Sequence, residues 1–267
     1  MAVNALQSAS SALSAFNTAL DVVANNLANI NTVGFKADRT NFQDLLYIEK
    51  SQPGVENANG DQRPIGLYVG LGVKVSGTQK SFEQGAPTVT SNELDLAIEG
   101  SGFFKVKVEP EKGGTAYTRA GNFTLNSNRE LVLANDVGRR LEPAISIPDN
   151  ATKISIAADG QVFAAIPGET EPQAIGQIEL ATFVNPAGLE SLGENLFMET
   201  AASGAPVSGN PGSDSRGTLK QGMLEESNVD PTRELIELIR TQRAFEFNSQ
   251  SIRAADEALK SVAQLRS

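Results

Sequence analysis

The chain contains neither cysteine nor histidine among its 267 residues. Without cysteine it has no disulfides, thiolate metal sites or thiol nucleophiles, a composition compatible with cytoplasm or periplasm. Without histidine the commonest general base and metal ligand is missing. Most hydrolase constellations are thereby excluded, and any chemistry would fall to carboxylates, lysines or tyrosines. Long apolar runs are absent as well. The stretch Met1 to Leu20 is broken by Asn4, Gln7, Ser8, Asn17 and Thr18, far from the roughly 20 consecutive apolar residues of a membrane-spanning helix, so no membrane insertion is expected. No lysine or arginine cluster offsets a net charge of −10. Nucleic acid is therefore not expected as a partner, because nothing would neutralise phosphates and release their counterions. Asp21 is the only charged side chain before Lys36. The basic region of a secretory signal and the arginines of a transit peptide are both missing, and the amphipathic start is expected to remain in the mature protein.

What the chain does have is a helical pattern at each end. Ala2, Leu6, Ala9, Leu13, Phe16, Leu20, Val23, Leu27 and Ile30 alternate steps of four and three, the spacing of a heptad seam that requires a partner. The spacing predicts a helix from about residue 4 or 8 to about residue 30, stopped at Asn29, Asn31, Thr32 and Gly34, where Gly34 supplies positive φ. A second helix is expected to start sharply, with Asp230 as N-cap, Pro231 at N1 and Glu234 in the first turn. Its apolar row is Leu238, Phe245, Ile252 and Leu259. Its second row, Leu235, Gln242, Ser249, Asp256 and Ala263, is mostly polar.

Between the helices the periodicity drops to two. Strand signals run through Leu94–Ile98, Phe103–Val108, Tyr117–Arg119, Phe123–Leu125, Glu130–Leu133, Ile154–Ala157, Val162–Ala165 and Ile178–Phe183. Turns fall at Gly113-Gly114, Asn126 to Asn128 and Asp159-Gly160. No helix-period stretch separates these strands, so parallel βαβ topology is disfavoured. The expected fold is α+β: terminal α-helices pairing in a coiled-coil-like assembly domain around a central antiparallel β domain, barrel- or sandwich-like. The expected divisions are an assembly helix over 1–34, an extended arm with short strands over 35–87, the β domain over 88–197, a return segment over 198–227 and a second assembly helix over 228–267. The arm is punctuated by Pro53, Gly54, Asn59, Gly60, Pro64 and Gly66. A segment so long and so interrupted suits packing along neighbouring molecules.

Five blocks carry a family resemblance. Residues Ala24-Asn25-Asn26-Leu27-Ala28-Asn29-Ile30-Asn31-Thr32-Val33-Gly34-Phe35-Lys36 resemble the signature of the bacterial flagellar axial proteins of the rod and hook. Residues 221–229 and 237–246, and the middle blocks 94–104 and 117–123, resemble the same family, so the likeness spans essentially the whole chain. Length and the Gly66–Val73 block are most similar to the distal-rod type. The resemblance implies a non-enzymatic subunit of a helical homopolymer, a tube with the terminal helices on its inner wall and the β domain outside. It also implies other rod and hook subunits, surrounding ring proteins and the type III export apparatus as partners, and a place in the basal body with the rod crossing the periplasm. Arg129 stands where the family's turn usually has glycine, and Asp136 to Arg140 replace a more apolar turn, which leaves the local hairpin geometry open.

The residues assigned to an assembly interface are Leu6, Leu13, Phe16, Leu20, Val23, Leu27 and Ile30 on the first helix and Leu238, Phe245, Ile252 and Leu259 on the last. Asn25, Asn26 and Asn29 join them as register-setting polar groups, on the precedent of buried polar residues in coiled coils. No catalytic, metal or cofactor residues are assigned. Glu225, Glu226 and Asp214 are the nearest thing to an acid/base set for a periplasmic glycan hydrolase, but sequence spacing gives no carboxylate separation. Gly70-Leu71-Gly72 superficially matches a phosphate loop, yet no helix follows, and glycines permitting close backbone packing are the expected reading.

Overall fold

A computed structural model describes residues 2–54, 64–109, 113–168 and 171–265. In chain order the elements are α1 (Ala2–Ala28), β1 (Asp38–Asp44), β2 (Tyr47–Ser51), β3 (Leu67–Gly70), β4 (Val73–Lys80), β5 (Pro87–Val89), β6 (Leu96–Glu99), β7 (Phe103–Lys107), β8 (Thr115–Thr118), β9 (Phe123–Leu125) and β10 (Leu131–Leu133). There follow β11 (Lys153–Ile156), β12 (Gln161–Ala165), β13 (Gln173–Gln177), β14 (Leu180–Thr182), β15 (Glu190–Gly193), β16 (Leu196–Met198), β17 (Val207–Gly209), β18 (Thr218–Gln221), β19 (Met223–Glu225) and α2 (Pro231–Leu265). The chain divides into two compact units, one comprising 1–28, 38–79 and 230–267, the other 29–37 and 80–229.

In the first unit α1 packs against α2, and β1 pairs with β4 while β2 pairs with β3. The start of α2 is as expected. Asp230 Oδ1 accepts hydrogen bonds from the Thr232 and Arg233 amides at 2.9 and 3.2 Å, satisfying amides that have no intrahelical partner. α1 stops at Ala28, two residues short of the seam's end, because the Asn29 carbonyl and side chain accept from the Thr32 amide and hydroxyl at 3.2 and 3.1 Å and turn the chain. Gly72 lies against α1: a Cβ there would come within 2.1 Å of Ser11 Oγ, and Ser11 Oγ accepts from the Val73 amide at 3.3 Å. Gly72, in the link between β3 and β4, thus serves close packing. Asn59 and Gly60 of the arm lie outside the described residues.

The second unit is built on a six-stranded sheet of order β15-β16-β8-β7-β14-β17, antiparallel at each of its pairings. Because side chains alternate across a strand, the sheet separates two apolar layers. Phe104, Val106, Ala116, Leu180 and Leu196 enter one, which also gathers Leu96, Ile98, Phe123, Leu131 and Ile145. Their neighbours Phe103, Tyr117, Ala181 and Phe197 enter the other, joined by Phe183 and Leu189. In that second layer the rings meet edge to face, with centroids 4.8 Å apart for Tyr117–Phe183 and 5.8 Å for Phe103–Phe183, the arrangement favoured by ring quadrupoles. The barrel in the sequence-based expectation does not form. The sheet ends at β15 and β17, and a sheet covered on both faces has no need to close. The return segment expected over 198–227 contains β17, held by its register with β14.

The two unusual turns resolve without glycine at 129. Arg129 has φ 58, in a turn where Asn126 Oδ1 accepts from the Asn128 and Glu130 amides, both at 2.9 Å. Its guanidinium donates to the Ile147 and Pro148 carbonyls at 3.2 and 3.0 Å. At 136–140 the Gly138 amide donates to Asn135 Oδ1 at 2.7 Å, and Arg139 turns inward to Glu109 and Glu194, both at 3.0 Å.

Burial, with a smaller contribution from the Glu199 carboxylate, pushes the Tyr117 hydroxyl up to about 12. A tyrosine in the unfolded chain ionises near 10.0, so the folded chain holds the proton longer. The stability this contributes is complete below pH 10 and is lost as pH rises towards 12. Urea midpoints compared at about pH 9.5 and about pH 11.5 should fall for the natural chain and fall less for Tyr117→Phe.

Candidate functional site: helix faces and a buried charge cluster

Two arrangements stand out, one in each unit. In the second unit, residues 29–37 lie on the β body, and Lys36 is fully buried there at 1% exposure. Its ammonium donates to Glu225 Oε1 at 2.6 Å and to the Glu83 carbonyl at 2.7 Å. Glu225, equally buried, also accepts from the Gly85 amide at 2.9 Å and from Arg119 at 3.3 Å. Arg119 donates to the Gly100 carbonyl at 2.8 Å and lies over the Phe103 ring, 5.4 Å from its centroid. One carboxylate thus serves two buried cations, and carbonyl dipoles and a ring face take up the remaining positive charge. Burial pushes both the Lys36 ammonium and the Arg119 guanidinium below their usual ranges, against the pull of Glu225.

Gly34 leads the chain into this cluster. Its φ is +70, and a Cβ would sit 2.6 Å from the Ala120 amide nitrogen, so both the turn and the close approach demand glycine.

In the first unit the assigned helix residues separate by depth. Val23 is buried, and Leu6, Leu13, Phe16, Leu20 and Leu27 are half-buried. Ile30, also half-buried, lies beyond the helix in the second unit. The deepest positions on α1 include Ala15, Ala19 and Asn26, of which only Asn26 was assigned from sequence. Asn26 holds Asp38 through both its backbone groups, accepting from N at 2.9 Å and donating to O at 2.8 Å, and also donates to Glu234 Oε2 of α2 at 3.3 Å. Asn25 is exposed and Asn29 half-buried.

On α2, Leu238, Phe245 and Ile252 are half-buried, while the side chain of Leu259 lies outside the described residues. The sequence reading missed the other side of this helix. Leu235, Ile236, Ile239 and Phe247 are exposed by 45, 46, 49 and 66%. At about 100° per residue, Ile236, Ile239 and Phe247 fall roughly opposite the Leu238–Phe245–Ile252 row. Apolar residues three and eleven positions apart were the available signal, hidden because polar neighbours interrupt the stripe.

The three carboxylates weighed for catalysis do not form a pair. Glu225 is enclosed by its cations, Glu226 accepts from the Thr88 hydroxyl at 2.6 Å, and Asp214 pairs with Arg216 at 2.7 Å. Among the described residues no group of acidic side chains could hold a metal ion, and no helix is long and apolar enough to cross a membrane.

Among the described residues, the paired helices of the first unit leave an apolar face of α2 uncovered, and the second unit is an open antiparallel β body. Comparison with known proteins gives the family. Residues 6–36 match the family described as flagella basal body rod protein, 97–164 the flagellar hook protein FlgE/F/G D1 domain, and 220–265 the flagellar basal body rod FlgEFG protein C-terminal region. The flagellar basal-body rod protein FlgG of Caulobacter vibrioides is 45% identical over 99% of this chain and 100% of its own length. Its namesakes in Borreliella burgdorferi and Bacillus subtilis are 43 and 39% identical, over 96 and 99% of this chain and the same shares of their own. The chain belongs to the flagellar basal-body rod protein family, whose members are structural and not enzymes.

Glu225→Gln leaves two buried cations without their counter-charge, and the loss of one partner from such a cluster costs about 3–5 kcal/mol. Lys36→Met keeps the carboxylate bonded to Arg119 and the Gly85 amide and should cost clearly less. Urea unfolding of the two variants checks the order.

Proposed function

We propose that this chain is a subunit of the flagellar distal rod, polymerising into a straight tube that transmits torque and encloses the export channel. The likeness to FlgG proteins over nearly the full chain supports the choice of rod segment. Its place is the basal body, with the rod crossing the periplasm, other rod and hook subunits at its ends, ring proteins around it and the type III apparatus as its exporter.

The observation that carries the reading is the second apolar stripe of α2. A monomer would leave Ile236, Ile239 and Phe247 in water, whereas a wall of packed helices covers them. In this reading the assigned α1 and α2 rows pair in coiled-coil fashion, with part of the seam used within a subunit and the outward stripe used between subunits. The expected arm follows the same logic, since Leu46, Tyr47, Ile65, Leu67 and Tyr68 are all at least 50% exposed and suit packing along a neighbour. The alternative of a glycan hydrolase loses its acid, because Glu225 is enclosed.

Two substitutions separate the roles of the helix faces. Phe247→Asp lies on the uncovered face, so it should change stability by no more than about 0.5 kcal/mol yet abolish tube formation in electron micrographs of concentrated protein. Val23→Asp places a charge in a buried position and should destabilise the helix pair by several kcal/mol, on the order of 3. Tubes formed by Phe247→Asp at the natural chain's concentration would show that the stripe is not an interface.

A further inference from the structure

The segment Val33–Ala37 is held on the β body as a bound peptide would be. It groups with that body, although the chain on either side of residues 29–37 belongs to the other unit. Its main chain is bonded at Val33, Gly34, Phe35 and Ala37. The Val33 carbonyl accepts from Asn195 Nδ2 at 2.9 Å, the Gly34 amide donates to the Glu225 carbonyl at 2.8 Å, and the Phe35 carbonyl accepts from the Asn228 amide at 3.4 Å. The Ala37 amide donates to Asn228 Oδ1 at 2.8 Å, and its carbonyl accepts from the Ser81 amide at 2.9 Å. Main-chain bonds of this kind supply affinity in peptide recognition, and side-chain pockets supply selectivity.

The selectivity elements are present. At position 34 the approach of Ala120 admits only glycine. At 35 a buried phenylalanine ring lies under the Lys80 ammonium, 5.6 Å from its centroid. At 36 the buried Glu225 carboxylate accepts from the lysine ammonium at 2.6 Å, a contact that a carboxylate at this position would turn into repulsion.

We propose that this slot is a peptide-recognition site for the sequence Gly-Phe-Lys, filled in cis by residues 33–37 and able to accept the same segment from a second copy of the chain. Tethering gives the cis segment an effective concentration on the order of millimolar, which keeps the slot closed in a free subunit. In a polymer, segments of neighbouring copies reach comparable concentrations, and exchange between subunits becomes a link additional to the helix faces. The inference rests on the polymer reading only for the source of the second copy.

The test uses the full-length chain carrying Gly34→Val. The substitution expels the chain's own segment by steric clash at Ala120 and leaves the slot residues unchanged. A synthetic peptide of residues 29–38, added at about 100-fold excess over its Kd, should raise the thermal midpoint of the variant's β body by roughly 5–10 °C. If the variant is unfolded at room temperature, the same peptide should restore the folded circular-dichroism signal, so the assay does not depend on the variant folding alone. The natural chain, with its slot occupied, should give no shift, and neither should a peptide carrying Lys36→Glu. No response at millimolar peptide, or an equal response to the Lys36→Glu peptide, overturns the proposal. The assay involves no polymer, so tubes without peptide binding would sink this inference alone, and peptide binding without tubes would uphold it while removing the rod reading.

Discussion

The fold of the β body turns on a single enclosed carboxylate. Glu225 receives Lys36 and Arg119, residues far apart in the chain, and so ties the connector, the region after β8 and the return strand β19 to one point. Buried ion clusters add little net stability, because taking charges from water offsets most of their attraction. Their effect lies in what they forbid. Sliding the connector by one residue would leave the Lys36 ammonium in the interior without its carboxylate, so a single register survives. Gly34 enforces the same register sterically, and Asn228 enforces it through the backbone.

Much of this architecture was legible in the sequence. The N-cap at Asp230 was readable because Asp-Pro before an amphipathic run satisfies helix-start chemistry locally. Several strands of the body were readable because apolar runs such as Phe103-Phe104 and Leu180-Ala181 mark strands of a sheet covered on both faces. β13 and β17 were not, since their residues are polar or small and they become strands only through their partners, β12 and β14. The conformation of Arg129 was open for a similar reason: its positive φ depends on carbonyls near residue 148 that no local pattern announces.

Site residues divide in the same way. The assigned rows on α1 and α2 follow from periodicity, and Asn26, assigned as a register-setting polar group, bonds Asp38 and Glu234, partners that the helix pattern does not name. Glu225 was weighed only as a possible acid, because the cations that enclose it are remote in sequence. Ile236, Ile239 and Phe247 escaped notice because heptad counting follows one row per helix, whereas a helix in a wall has neighbours on two sides.

In the proposed rod, the uncovered face of α2 is the surface on which copies of this chain assemble. Side-chain-resolution electron cryomicroscopy of the assembled protein tests it most directly. The account predicts a straight tube in which Ile236, Ile239 and Phe247 are buried against helices of adjacent subunits. A tube in which these three side chains face solvent would contradict it.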